Sequence, residues 1–416
     1  MSDETARPAA VEPVDDRSTA ATGGIGATAR ALIGRIRGGD LGSIPVVVGL
    51  LVIWAVFQLL NPNFLSSTNL VNLSMQSAAV GTIAIGIVLV LLLGEIDLSV
   101  GSVSGLSAAI LAVGYVQLGL PLPVVLVASL VTGALIGLAF GLLRTRFGVP
   151  SFLVTLAGLL SILGLQLYVL GKTGSINIPF DSWIVQLGQQ WFLPPWASYT
   201  LVGVAVAVFG WTQYSQSARR RQAGLPATSV SLIVARAAAL LAVLGLSTWY
   251  LNLTRGVGVM FALFLLLAVL THYALTRTRW GRAVYAVGGN VEAARRAGIR
   301  VNRVYISVFM LCSMFAALGG ILAAARLAAA NQGSGGADTN LNAIAAAVIG
   351  GTSLFGGRGS AFSAVLGILV IMSITSGLTL VNPDSSIRYI ITGAVLMLAV
   401  VADSLARRSR AASGRA

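Results

Sequence analysis

The 416-residue chain has few charges: 10 % of its residues are Asp, Glu, Lys or Arg, where a soluble domain carries about 25 %. That scarcity, with a mean hydropathy of +0.88, excludes an ordinary cytosolic enzyme. One cysteine, Cys312, allows no internal disulfide and no thiolate metal cluster. One histidine, His272, cannot supply a His-based metal centre or a His relay. Acids are also scarce, 13 against 27 cations, and every cation except Lys172 is arginine. In a soluble protein the net charge of +14 would point to nucleic acid; here loop asymmetry must be tested first.

What the chain has is apolar length. Hydrophobic residues make up 56 % of it, in runs long enough to cross a bilayer. The expected fold is all-α, a polytopic membrane protein with about 10–12 transmembrane helices, some broken or re-entrant where glycine interrupts them. Twelve segments are read: 44–60, 76–93, 102–118, 123–143, 151–170, 199–214, 231–251, 257–275, 304–326, 341–356, 359–380 and 388–404. Residues 1–43 have no apolar core and no early h-region, so they read as a retained, disordered tail. Residues 405–416 form a second, basic tail, leaving 44–404 as the membrane domain.

Starting inside and alternating puts 22 of the 27 cations on inner segments. Lys172, Arg255, Arg326 and Arg388 fall outside or at that boundary. Both termini are therefore expected in the cytoplasm, and no nucleic-acid partner is needed to explain the charge.

Such a chain needs an energy source if it pumps. Gly171-Lys172-Thr173 resembles the end of a phosphate-binding loop, but that loop requires glycine where Gln166 stands. It reads as a plain outer loop. The acids embedded among apolar segments are Glu95 and Asp97, in Gly94-Glu95-Ile96-Asp97-Leu98-Ser99-Val100-Gly101-Ser102. The alternating frame puts this stretch at the inner end of the second span, within reach of water. Capping of the third helix by Asp97 or Ser99 is one reading; a part in gating or the pathway is the other. At i,i+2 on a helix the two carboxylates would diverge, so they make a poor acid pair. With no nucleophile–base constellation, no catalytic residue and no metal ligand is assigned.

The inner loop Arg279–Ile299 writes out both ends of a short helix, Asn290 to Gly298. Asn290 is a good N-cap and Glu292 suits the positive first turn. Arg295 and Arg296 stand three and four residues after Glu292, within ion-pair reach. Gly298 can take the left-handed stop, and Gly288-Gly289 offers a pliable lead-in. A helix of about two turns is marginal alone and should pack on something. A plain connector and a contact for a partner both fit this spacing.

Four stretches carry a family resemblance. They are Gly94–Ser102, Gly148-Val149-Pro150-Ser151-Phe152-Leu153-Val154-Thr155-Leu156, Gly288-Gly289-Asn290 through Ala293-Ala294 to Gly298-Ile299, and Leu341–Gly357 with its Gly350-Gly351-Thr352-Ser353-Leu354-Phe355-Gly356-Gly357 end. Together, and in this order, they resemble the membrane permeases of bacterial ABC importers for monosaccharides, the branch of ribose, galactose and xylose systems. The resemblance implies a homodimeric permease in the bacterial inner membrane. It would be served by an extracytoplasmic sugar-binding protein and driven by a cytoplasmic ABC ATPase subunit. ATP would be hydrolysed by that subunit, and this chain would bind no cofactor. It further implies a coupling segment within 276–303, comprising Arg282, Gly288, Gly289, Asn290, Glu292, Ala293, Ala294, Arg296, Gly298 and Ile299. Glu95, Asp97, Ser99, Thr352, Ser353 and Phe355 become pathway or gating candidates. Two departures stand out: Glu95 replaces a glycine common in the ribose branch, and residues 197–256 add two spans. The added length resembles xylose and multiple-monosaccharide permeases, so xylose or a related sugar is the expected cargo. An ATPase-independent secondary carrier or facilitator is the alternative.

Smaller signals complete the reading. Gly133, Gly137 and Gly141 recur every four residues, a small-residue stripe assigned to packing within the subunit. Gly94–Gly101 and Gly350–Gly357 share Gly, Leu and Gly at equal offsets, in segments the frame makes parallel. Phe180, Trp183, Trp191, Phe192 and Trp196 suggest an interfacial belt. Cys312 and His272 read as incidental.

Overall fold

The structure, a computed structural model, describes residues 44–382 together with 384, 386, 387, 390, 391, 393, 394 and 397. The two expected tails and most of the segment at 388–404 lie outside the described residues.

The helices in order are α1 (Ile44–Leu60), α2 (Ser67–Leu92), α3 (Val100–Ala112, running into a π-turn at Val113–Gln117), α4 (Leu122–Arg146), α5 (Ser151–Leu170) and α6 (Trp183–Gln189). Then come α7 (Pro195–Gln222), α8 (Val230–Leu251), α9 (Val259–Arg277), α10 (Arg279–Gly289), α11 (Val291–Arg296), α12 (Val301–Leu327), α13 (Ala337–Ile349) and α14 (Ala361–Val381). Eight helices among the described residues are long and apolar enough to cross a membrane: α2, α3 with its π-turn, α4, α5, α8, α9, α12 and α14. α1 is apolar but shorter.

Besides the short α1, two of the twelve expected segments differ. The run 199–214 lies in α7, whose last turns hold Arg219, Arg220 and Arg221, and α7 is not among the eight. The run 341–356 is a half-helix: α13 stops at Ile349, and the chain crosses Gly350–Ser360 without regular structure before α14. Hydropathy continues through the glycines there, but the helical hydrogen bonding does not.

Residues 196–249 form one compact unit. Within it, the turn between α7 and α8 is fastened by the Thr228 carbonyl, which accepts from Ser217 Oγ at 2.7 Å and Arg221 Nη2 at 3.2 Å.

The larger unit is built around α2. This helix is nearly all buried and, from Ala78 on, apolar on every face; Ser77 and Thr82 return their hydroxyls to the Leu73 and Ala78 carbonyls at 2.8 and 2.7 Å. Without water, such back-bonding satisfies a hydroxyl. α12 packs antiparallel to α2, Gly86 lying against the Cys312 backbone and Gly319 against Ala79 and Ile83. α4 packs on another side of α12, with Gly133 against Ser313 and Ala317, Gly137 against Phe309 and Met310, and Gly141 against Ile306. The glycine stripe thus packs within the chain, as its spacing suggested. A two-stranded antiparallel ladder, β1 (Ser175–Asn177) with β2 (Ala329–Asn331), ties the ends of α5 and α12 together in the register Ile176↔Ala330. This ladder marks one end of the bundle. The other end carries the C-termini of α2, α4 and α9, with α10 and α11.

Candidate functional site

The chain breaks between α2 and α3. Leu93 closes α2, and Gly94 takes φ +75°, a left-handed turn costly for any residue with a Cβ. The segment 95–99 then runs back between helices, held by α5: Ser151 Oγ accepts from Ile96 N–H at 3.4 Å, and Thr155 Oγ1 accepts from Leu98 N–H at 3.1 Å. Asn340 of α13 donates Nδ2 to the Leu98 carbonyl at 2.7 Å.

Asp97 is 1 % exposed, so the expectation that water reaches it is not met. Its Oδ1 accepts from Ser99 N–H at 2.8 Å and Ser99 Oγ at 2.6 Å, and its Oδ2 faces the Cys312 thiol, near the middle of α12, at 3.8 Å. Ser99 occupies the N-cap position of α3, yet its side chain caps nothing. The carboxylate therefore folds the break itself and leaves the open amides of α3 alone. Cys312 is not incidental.

Glu95 turns the other way. Its Oε1 pairs with Arg144 of α4 at 2.8 Å, and the Arg144 guanidinium also lies 5.2 Å over the Tyr305 ring. The acid that departs from the ribose pattern thus has a cation waiting 49 residues away in sequence.

The 350–360 segment closes on this break. Gly94 packs against the Phe355 carbonyl and the Gly356 N–H, so the two glycine-rich stretches compared in the sequence touch each other. Thr352 is buried, and its Oγ1 has no hydrogen-bond partner among the described residues. Ser353 N–H donates to the Arg358 carbonyl at 2.9 Å, Ser353 Oγ accepts from Phe355 N–H at 3.2 Å, and Phe355 is 58 % exposed. His272 approaches Ser360 Oγ through Nδ1 at 3.3 Å and lies against Phe362, so it too has structural partners.

α10 begins where Thr278 caps the Gly281 N–H at 3.1 Å, and it buries Gly281, Val284 and Val287 while Arg282 faces outward. Trp280 Nε1 donates to Ser307 Oγ at 2.9 Å and the Tyr285 hydroxyl to the Gly359 carbonyl at 2.8 Å. Burial raises the Tyr285 phenol above its ordinary value, which keeps it a donor. Gly288 and Gly289 are the last turn of α10, so they form part of a helix where a pliable lead-in was expected.

Asn290 caps α11 through Oδ1 to Ala293 N–H at 2.9 Å, Glu292 pairs with Arg295 at 2.7 Å, and Gly298 sits at φ +80°. The helix is six residues, Val291–Arg296, shorter than two full turns. Its outward face presents Glu292, Ala293 and Arg296, whereas Ala294 is buried and Ile299 half-buried.

One backbone oxygen joins these parts. The Leu92 carbonyl, at the end of α2, accepts the Gly357 N–H at 2.9 Å and touches Gly288. The Gly288 carbonyl in turn packs on Gly356. Arg144, Ser151, Thr155, Asn340 and Cys312 were not singled out as site residues. Gln166 is another: it is fully buried in α5 and donates Nε2 to the Asn331 and Ser334 carbonyls at 3.2 and 2.9 Å. A glutamine inside an apolar span was the available signal for it.

Residues 69–400 match the family described as branched-chain amino acid transport system, permease component. The chain belongs to this family of transport permeases. Among its relatives, the xylose transport system permease protein XylH of Escherichia coli strain K12 is 38 % identical over 346 residues, covering 83 % of this chain and 87 % of that protein. XylH of Haemophilus influenzae is 37 % identical over 363 residues, 86 % and 95 % of the two chains. The ribose import permease protein RbsC of Escherichia coli strain K12 is 31 % identical over 358 residues, 86 % and 92 %. No solved structure matches the chain.

For a multi-pass transport permease the convergence is informative. Four stretches spread over residues 94–357 meet at one end of the larger unit, through hydrogen bonds and, at Gly288 and Gly356, glycine contacts with no room for an added side chain. They link the exposed α10–α11 surface to a carboxylate buried among the spans.

Proposed function

We propose that this chain is the membrane subunit of an ATP-binding-cassette importer that moves a monosaccharide, xylose or a close relative, received from an extracytoplasmic binding protein. The end bearing α10 and α11 faces the cytoplasm and takes the ATPase subunit, which hydrolyses the ATP; two copies of the chain form the translocation unit. The observation that carries this reading is the Leu92 junction. It joins α10 through Gly288, the 350–360 segment through Gly357, and α2, whose break holds Asp97.

The mechanism follows from the packing. Force on α11 passes to α10, which is fixed to α12 by Trp280 and to the 350–360 segment by Tyr285. Because backbone meets backbone at Leu92, α10 cannot tilt without moving the end of α2 or losing the Gly357 bond. Packed elements of this kind switch between discrete arrangements rather than deform smoothly. The segment 95–99, tied to α5 through Ser151 and Thr155, to α13 through Asn340 and to α4 through the Glu95–Arg144 pair, has no regular structure and is the part placed to follow. The similarity to XylH over most of both chains supports xylose as the cargo.

Reconstitution tests the reading. Proteoliposomes holding this chain, its ATPase subunit and a xylose-loaded binding protein are expected to accumulate radiolabelled xylose only with ATP. Equal uptake without the ATPase subunit would establish a facilitator instead. Orientation is read separately, in a Cys312→Ala background. A cysteine beside Arg219–Arg221 should resist an impermeant thiol reagent in intact cells, and one at Gln190 should react; the opposite pattern inverts the frame.

A further inference from the structure

Two helices of the larger unit start in its interior. α3 starts at Val100, directly after the break that sets Asp97 against Cys312 near the middle of α12. Ser104, one turn further on, lies against Gly320 of α12. α13 starts at Ala337, and its Asn340 reaches back to the break through the Leu98 carbonyl at 2.7 Å. Gly101 packs against Gly335, Gly336 and Asn340, so the first turns of the two helices touch. Neither start receives a side-chain cap, Ser99 and Gly336 standing at the N-cap positions. A helix start of this kind presents backbone N–H donors and the positive end of its dipole.

Acceptors stand beside these donors. Gln166 of α5 spends Nε2 on the Asn331 and Ser334 carbonyls of the turn that leads into α13. Its Oε1, against Gly105, has no hydrogen-bond partner among the described residues. Asn340, 6 % exposed, repeats the pattern: Nδ2 goes to Leu98, and Oδ1 has no such partner. Gly101 and Gly105 are one turn apart, so the two amides meet the same face of α3. Buried acceptors are costly to leave unpaired, and two of them at one junction call for a donor. The charges nearby restrict what can bring it. An anion would meet the carboxylates of Asp97 and of Asp338, which is exposed in the first turn of α13. A cation would meet two positive helix ends. A neutral polyol meets neither obstacle, and each of its hydroxyls both donates and accepts.

We infer that this junction of α3 and α13 is a sugar-contacting station among the spans, where Gln166 Oε1 and Asn340 Oδ1 accept from sugar hydroxyls and select for them. The inference rests on the proposed function, which supplies the sugar. Discontinuous helices that meet near the bilayer midplane hold substrate in many transporters. In this structure the station is shut: Gly335, at φ +67° in the turn Gln332–Gly336, packs on Gly101 and Gly105. The sequence of that turn, Gln-Gly-Ser-Gly-Gly, brings backbone polar groups to the junction and little bulk to displace. A passing sugar takes the place of the turn, its oxygens replacing the carbonyls that Gln166 holds.

The test uses the whole chain with its ATPase subunit in proteoliposomes, and compares ATP-driven uptake of xylose with that of its monodeoxy analogues. Each sugar is loaded to saturation on the binding protein, so that delivery is matched. The wild type is expected to carry at least one analogue about tenfold more slowly than xylose. Gln166→Met and Asn340→Leu should each slow xylose about tenfold and carry that analogue as fast as xylose. Gln166→Glu, which keeps acceptor oxygens at the same reach, should retain the preference. A second measurement needs no variant: a photoreactive xylose trapped in the wild type during turnover should label residues 98–105, Gln166 or residues 331–340. Labelling confined to other segments would overturn the inference. So would equal wild-type uptake of xylose and every analogue. An unchanged ratio of the two sugars in variants that fold would do the same, because it gives both oxygens to packing or to ordered water. If the wild type accumulates xylose with ATP and these results go against the station, the inference alone fails. If the wild type accumulates no xylose, the proposed function fails with it.

Discussion

Leu92 and Gly357, 265 positions apart, share a backbone hydrogen bond of 2.9 Å, and Gly288 lies against the same Leu92 carbonyl. Any Cβ at position 288 would overlap that oxygen, whereas a Cβ at 289 meets nothing within 4 Å. Gly288→Val should therefore abolish xylose uptake and uncouple hydrolysis while the subunits still assemble. Gly289→Ala should keep uptake and raise the melting temperature slightly, since alanine favours a helix over glycine by about 1 kcal/mol. Equal uptake in the two variants would remove the junction from the mechanism.

Local physics explains which parts of this arrangement were legible in the sequence. The Asn290 cap, the Glu292–Arg295 pair and the left-handed Gly298 are written in neighbouring residues and hold in the structure. The α4 glycines likewise announce close packing by their period. Asp97 and Cys312 are 215 residues apart, and no periodicity says that one will face the other. The Glu95 partner, Arg144, was counted only as a topogenic charge, because pairing across a bundle depends on where helices pack. The half-helix α13 was read too long for a simpler reason: an apolar run records where burial is tolerated, and glycines within it decide where the helix ends.

The Glu95–Arg144 pair is a stability element. The side chains are 12 % and 30 % exposed, so solvent screens them only in part. Glu95→Ala leaves Arg144 half-buried with no carboxylate and should cost about 1.5 to 3 kcal/mol, the range for hydrogen bonds to charged groups. Thermal melting in detergent reads the loss, and the charge-reversed double variant Glu95→Arg with Arg144→Glu should recover at least part of it. Additive losses in the double variant would mean that the pair does not couple.

Asp97 separates geometry from charge. Asp97→Asn keeps an Oδ1 acceptor for both Ser99 bonds, so the break should fold and the complex assemble, with xylose uptake reduced several-fold. Asp97→Leu removes both acceptor bonds, each worth about 1 kcal/mol, and leaves the Ser99 N–H and hydroxyl buried without partners. That variant should accumulate poorly in the membrane. Wild-type uptake in the Asn variant would confine Asp97 to a structural role.

The α11 surface bears the heaviest test, because its groups contribute little to the fold. The Glu292–Arg295 pair is 66 % and 60 % exposed, and such pairs stabilise by at most about 1 kcal/mol. Glu292→Arg should therefore leave melting nearly unchanged while placing three cations on one short helix. Gly298 has open space around its Cα, so Gly298→Val meets no neighbour and costs only the strain of a β-branched residue at positive φ, about 1 to 3 kcal/mol. Both variants should insert and receive the binding protein normally. Neither should hold the ATPase subunit with wild-type affinity, and sugar-stimulated hydrolysis should fall with it. Pull-down of the ATPase subunit and hydrolysis in proteoliposomes measure the two effects. If both variants keep wild-type coupling, α11 is a connector, and the force enters through α10 or the 350–360 segment instead.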